Sequence, residues 1–265
     1  GIAVIDLSDP SRPRRVGLIS EGSDGGVVGF HLSGDTLSTW GNRFVMRAFQ
    51  GGSDPPILSA YGGQDFVGAA GISGERAYLG YLHGGFEAVS FSDPSNPVPG
   101  GQIPTPGMVM SMALHGSHAY LATTNGGLVV FDLTDPEVPV RVGAVSGTSG
   151  AWDIHIQGSI LFLACHRYGV KVLDISDPAS PHIIGSFNNG GESYGVFAVG
   201  TRLYVADLQE GVKVLDVSSP DHPTLIGSDG AYHPHDLFSD GTYLYLADQD
   251  RAFVVLPLDL EGGTR

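Results

Sequence analysis

Three residues near the end of the chain have the types and spacing of a metal site: His233, His235 and Asp236, in the stretch AYHPHD. Two histidines two positions apart point to the same side of an extended strand, as metal ligands on a β-scaffold do. Imidazole with carboxylate suits zinc or another divalent transition metal. An ion with an open position would polarise a substrate or activate water, the chemistry of a metal-assisted hydrolase or lyase. His166 is the fourth candidate ligand. The competing account is that these are solvated polar residues beside a proline in a surface loop, so a divalent ion is an open reading and no cofactor is firmly implied.

A second group carries recognition chemistry. Trp152, Tyr194, Tyr168 and Tyr232, with Arg167, could form an aromatic platform for a sugar or a peptide, because flat apolar faces with polar tips stack and hydrogen-bond at once. Packing between structural repeats is the alternative use of the same rings. A third combination is Asp153 with His155, a general acid–base couple in principle, or two polar groups that satisfy each other and water. Cys165 ends an apolar run and reads as a small buried hydrophobe, not a nucleophile. The serine-hydrolase elbow, the HExxH zinc motif, the phosphate loop and the dinucleotide fingerprint are all missing from the sequence.

The elements that position these residues follow from a repeat. GLVVFDLTDPEVPVRVGAV starts at Gly127, GVKVLDISDPASPHIIGSF at Gly169 and GVKVLDVSSPDHPTLIGSD at Gly211, a period of forty-two residues. Earlier steps reach Gly85, Arg43 and Gly1, and the last copy, at Ala252, slips by one residue. A period near forty marks propeller blades or solenoid units. Within one unit, WDIHIQ, ILFLAC, VKVLDI and HIIGSF are short strand-like runs separated by glycine and proline turns, which predicts a four-stranded antiparallel meander. A lone sheet of this kind has two apolar faces and two open edges, and stacking copies radially around a channel closes it. The fold class is therefore all-β, a β-propeller, with residues 1–265 forming one domain.

Labelled outward from the channel, first strands fall near Val27, Val67, Val109, Ala151, Ser193 and Pro234. Third strands start at Gly1, Arg43, Gly85, Gly127, Gly169, Gly211 and Ala252, giving seven third strands against six of each other kind. Seven blades result if an upstream segment or a partner strand completes the ring, and six if this chain alone supplies it. The recurrent SDPxxP corners, with Asp9, Asp93, Asp135 and Asp177, read as turns in which Asp accepts from an amide two residues on and Pro ends strand pairing. Recurrence favours this reading over calcium ligation by the same carboxylates.

Composition narrows the function classes. The 265-residue chain has 13 Lys and Arg against 28 Asp and Glu, a formal charge of −15. That balance repels a phosphate backbone and excludes nucleic acid as a partner. One cysteine cannot form an internal disulfide, and no apolar run is long enough for a membrane-spanning helix.

The segments GLVVFDLTDP, GVKVLDISDP and GVKVLDVSSP, each preceded by an AYLA, LFLA or LYVA strand, resemble the LVIVD-repeat family, most closely in the last four units. The resemblance implies a bacterial or archaeal propeller of the secreted, periplasmic or cell-surface kind. It carries over no catalytic residue, because the family's motifs are structural. Function is then expected in residues that do not recur, on the face where the second-to-third and fourth-to-first connections meet the channel mouth. Met110, Trp152, Tyr194 and His235 share one repeat position there, and His83, His166, Arg167 and Tyr168 lie in second-to-third loops. The expected role is non-catalytic binding of a protein or glycan, with a metal-assisted enzyme and a structural part of a surface assembly as alternatives.

Overall fold

The computed structural model describes residues 2–10, 12–19, 26–49, 55–62, 65–188 and 190–258. Every regular element among them is a β-strand, and no helix is long and apolar enough to cross a membrane. β1 (Ile2–Asp6) and β2 (Arg14–Ile19) pair with each other. Blade 1 follows with β3 (Val27–Ser33), β4 (Thr36–Gly41), β5 (Phe44–Ala48) and β6 (Ile57–Tyr61). Blade 2 has β7 (Val67–Ser73), β8 (Arg76–Tyr81), β9 (Phe86–Ser90) and β10 (Val98–Pro99). Blade 3 has β11 (Val109–His115), β12 (His118–Thr123), β13 (Gly127–Asp132) and β14 (Val140–Val145).

Blade 4 has β15 (Asp153–Gln157), β16 (Ile160–Ala164), β17 (Val170–Asp174) and β18 (His182–Phe187). Blade 5 has β19 (Ser193–Val199), β20 (Arg202–Asp207), β21 (Gly211–Asp216) and β22 (Thr224–Asp229). Blade 6 has β23 (Pro234–Ser239), β24 (Tyr243–Asp248) and β25 (Ala252–Pro257). Each sheet keeps chain order from edge to edge, the meander predicted from the repeat. Six sheets open on a first strand, which matches the six-blade count from this chain. Among the described residues five of them have four strands and blade 6 has three. These are the blades of a β-propeller.

The chain divides into two compact units, Gly1–Met110 with Asp135–Pro139, and Ser111–Thr134 with Val140–Arg265. In the first, Phe44 of blade 1 packs with Val67, Leu79, Tyr81 and Val89 of blade 2. In the second, the alternation along β16 shows how a blade is held. Leu161 and Leu163 pack against Tyr120, Leu128 and Val130 of blade 3, while Phe162 and Ala164 pack against Val196, Leu203 and Val205 of blade 5. β20 repeats the device, with Leu203 and Val205 facing blade 4 and Tyr204 and Ala206 facing blade 6. Strands buried on both faces have to be apolar throughout, which is why LFLA and LYVA are continuous runs.

The corner turns form as their residues predict. The amides of Ser95, Glu137 and Ala179 donate to Oδ1 of Asp93, Asp135 and Asp177 at 2.9, 3.0 and 3.1 Å. A second set of aspartates closes the third strands, with Thr134, Ser176 and Ser218 amides donating to Asp132, Asp174 and Asp216 at 2.8, 2.7 and 2.8 Å.

The glycine opening the third strands of blades 4 and 5 has a backbone reason. Gly169 and Gly211 have φ of 71° and 85°, and a Cβ on either would strike the carbonyl oxygen of Phe187 or Asp229. In the last copy Ala252 takes the same left-handed conformation, φ 63°, with a side chain. Gly169→Ala is expected to lower unfolding free energy by about 1–3 kcal/mol or more in denaturant titration. Ala252→Gly is expected to raise it by about 1 kcal/mol. Equal small effects at both positions would contradict this account of the repeat glycine.

Candidate functional site

The second unit presents its non-recurring side chains through a bulge at the start of the first strands of blades 4, 5 and 6. In blade 5 the register jumps between Ser193 and Gly195, and in blade 6 between Pro234 and Asp236, so Tyr194 and His235 are extra residues that the partner strand does not match. Trp152 holds the same place in blade 4: its amide donates to the Ala164 carbonyl at 2.8 Å although Asp153 already pairs with Ala164. A bulge twists the strand and re-aims the unmatched side chain. The three re-aimed rings form a ladder. Trp152 meets Tyr194 edge to face at 4.9 Å, and Tyr194 meets His235 in the same way at 5.5 Å.

His166 joins this ladder from the second-to-third loop of blade 4. Its ring lies 5.0 Å from that of Tyr194 at 87°, and Nε2 is 3.1 Å from the Tyr194 hydroxyl, within hydrogen-bond reach. Its φ is +48°, a left-handed conformation for a side chain with a Cβ. Strain of this kind persists where surrounding contacts over-determine it. Here the His166 amide donates to the Ser193 carbonyl at 2.9 Å and the Ser193 amide donates back at 3.1 Å, tying the loop to the neighbouring blade. Glu192 Oε1 lies 3.7 Å from His166 Nε2.

The residues that follow Trp152, Tyr194 and His235 are Asp153, Gly195 and Asp236, and Ser111 holds the same repeat position in blade 3. Asp153 clamps three successive blades: it accepts from Ser111 Oγ at 2.9 Å and from the Val196 amide at 3.0 Å. Desolvation, then the charge of Asp236, push its carboxyl up to about 7. Asp236 is also raised, by desolvation, although water still reaches its strand face. The Asp153–His155 couple does not form. Asp153 spends its oxygens on the neighbouring blades, and the His155 ring packs against Phe197 at 4.3 Å, where desolvation lowers its pKa.

The predicted metal set divides in the same way. His233 donates its amide to Asp248 at 2.7 Å and holds Nδ1 2.7 Å from Asp250, whereas His235 stacks on Tyr194. The spacing rule assumed an unbroken strand, and His235 is the bulge residue. Among the described residues no three His, Cys, Asp or Glu side chains come together as a metal-holding group. Tyr232 also stands apart from the ladder, with the Arg251 guanidinium over its ring at 5.1 Å. Cys165 is fully buried, and desolvation raises its thiol to about 12.

Next to Trp152 the loops of blades 3 and 4 enclose a cleft of about 310 Å³. Thr124, Asn125, Ser149 and Gly150 from the blade 3 side and Trp152, His166, Arg167 and Tyr168 from blade 4 line it. The Arg167 guanidinium lies over the Tyr168 ring at 5.2 Å, and Asn188 Nδ2 donates to the Arg167 carbonyl at 3.2 Å.

The LVIVD repeat model matches residues 106–146, 149–189, 190–229 and 235–257, more than half of the chain. The chain belongs to the LVIVD-repeat family. The matched segments are the four repeats in which the sequence resemblance is closest, and they include the whole ladder. No curated protein sequence matches it.

Solved structures similar to this LVIVD protein share its fold at low identity. A functionally unknown protein from Desulfotomaculum acetoxidans superposes with a TM-score of 0.73 at 15% identity, over 90% of this chain and 84% of that one. The β-propeller domain of Cps50 (Swd1) from Myceliophteria thermophila gives 0.73 at 13%, over 92% and 84%. BamB from Moraxella catarrhalis gives 0.66 at 12%, over 89% and 71%.

Thr124, Asn125 and Ser149 were not apparent as site residues from their types alone. The repeat contains the signal, because Thr124 and Asn125 stand forty-two positions before His166 and Arg167.

The acidic pair gives the LVIVD blades a pH signature. Because the folded Asp153 value lies above that of the unfolded chain, its contribution to stability is full below about pH 4 and is lost as pH rises towards 7. Asp132, Asp174 and Asp216 act oppositely: hydrogen bonds from the following residues lower them, and their contribution is lost on acidification. Melting temperature should therefore pass through a maximum in mild acid. Asp153→Asn, which can still accept from Val196 and donate to Ser111, should flatten the decline between pH 4 and about 7 and melt a few degrees higher at neutral pH. An unchanged slope in the variant would rule out Asp153 as its source.

Proposed function

We propose that this LVIVD propeller is a non-catalytic binding module, placed outside the cytoplasm, that holds a protein or glycan partner on the loop face of its second unit. The observation that supports this most is the ladder of Trp152, Tyr194 and His235. Three successive blades spend their bulge residue on a ring, and each ring braces the next at the edge of solvent. Pre-ordered aromatic side chains lose little entropy on binding and provide most of the energy at recognition surfaces, where truncating one costs about 2 kcal/mol or more.

The titratable groups around the ladder have structural partners in place of a nucleophile–base arrangement. Asp153 bridges blades, His233 sits on Asp250 and His155 packs on Phe197. The extracytoplasmic placement draws on the family resemblance and on the acidic balance of the chain.

The test is binding of the purified protein to parallel glycan and peptide arrays. Trp152→Ala, Tyr194→Ala and His235→Ala combined should abolish any ligand-specific signal while leaving the melting temperature within a few degrees. Retention of every signal by the folded triple variant would exclude this face.

A further inference from the structure

Resting on the binding reading above, we infer that the cleft beside Trp152 takes a carboxylate-bearing sugar, a uronic acid residue of an acidic glycan. Its volume, about 310 Å³, lies at the small end of ligand sites, which run from roughly 300 to 1,000 Å³. One or two rings fit that scale better than an extended peptide.

The lining chemistry is selective. Ser149 and Asn125 bring a hydroxyl and a side-chain amide to the lining, groups that pair with sugar hydroxyls in either direction. Trp152 and Tyr168 offer aromatic faces for the C–H face of a pyranose, and Tyr168 is 45% exposed and so available. Gly150 borders that ring with φ +75°, a left-handed conformation suited to glycine.

Charge then decides the class of sugar. In a protein with 28 acidic residues against 13 basic, no carboxylate among the described residues lines this cleft. Its permanent cation, Arg167, is exposed and has no carboxylate partner among the described residues. Its guanidinium lies over the Tyr168 ring and donates a 3.3 Å hydrogen bond to the Tyr168 hydroxyl. A guanidinium pre-ordered by stacking, with other N–H groups facing solvent, suits bidentate capture of a carboxylate.

The experiment is an NMR titration of ¹⁵N-labelled protein, following the Trp152 indole signal assigned with Trp152→Phe. The probes are methyl β-D-glucuronide, methyl β-D-glucoside and N-acetyl-aspartate. The glucuronide should shift the signal and bind about tenfold tighter than the glucoside, the worth of one charge-assisted contact. Arg167→Ala, or Arg167→Gln if the first variant melts early, should reduce the glucuronide to the affinity of the glucoside. Asn125→Ala should weaken both sugars.

Equal affinity for the two sugars would overturn the role of Arg167, and no response to either would overturn the site. N-acetyl-aspartate binding as tightly as the glucuronide would assign the cleft to acidic peptide instead. If the glucuronide fails while array binding remains sensitive to the triple alanine variant, this inference falls and the binding module stands. If both fail, both fall.

Discussion

Blades 4 and 5 of this protein are apolar on both faces, and the packing of the second unit depends on that. A strand such as β16 sends Leu161 and Leu163 one way and Phe162 and Ala164 the other, so neither face can be left to water. Full burial of one such side chain contributes about 1.5–3 kcal/mol, whereas an exposed ion pair contributes about 0–1. The stacking of neighbouring blades therefore outweighs the surface charges, which can vary freely. One ionic exception is internal. The Asp207 carboxylate, fully buried, accepts from Lys213 Nζ at 2.6 Å and from the amides of Glu192 and Glu210 at 3.1 Å each. It ties the entry of β19, which carries Tyr194, to the hairpin beside it.

Given that packing, the bulge is what turns a scaffold into a site. A regular first strand would send alternate residues to the two buried flanks, leaving no position for a large ring to face solvent. One unmatched residue, placed where the strand begins, escapes the alternation without disturbing the core beyond it. Blades 4, 5 and 6 use it for Trp152, Tyr194 and His235, while blades 1 and 2 place Val28 and Gly68 there. The difference between units at one structural position separates a packing role from a recognition role. His166 supports the same distinction, since its strained backbone is held by paired hydrogen bonds to Ser193 and its ring by Tyr194.

The architecture was legible because its causes are local and repeated. Period, corner aspartates and apolar runs each report a short-range requirement, and the first and third strands of the six blades start within two residues of their expected places. What eluded the sequence were relations set by a neighbouring blade. Asp153 and His155 lie two apart and pair on paper, but the donors that capture Asp153 come from Ser111 and Val196, each more than forty positions away. His233 and His235 fail as a pair because a bulge breaks the parity that would align them. Of the rings grouped from the sequence, Trp152 and Tyr194 do meet, whereas Tyr232 has Arg251 over its ring. A residue's type carried information about its chemistry, and its partner depended on register.

The acidic character of the chain bears on what the cleft can accept. A formal charge of −15 repels an anion at long range, yet at physiological salt the Debye length is about 8 Å, and exposed carboxylates farther away are largely screened. A ligand carboxylate on Arg167 would be in hydrogen-bond contact, well inside that length, with the Tyr168 ring shielding one side. Glu192, on the strand-entry side of His166, is engaged with that imidazole and does not line the cleft. Local geometry then outweighs the global charge at contact distance, while the global charge still disfavours anions that lack a ring to stack. The same balance separates a monoanionic sugar from a nucleic acid. One carboxylate needs one guanidinium, whereas a polyphosphate backbone needs many basic groups, and this sequence has 13 Lys and Arg against 28 Asp and Glu.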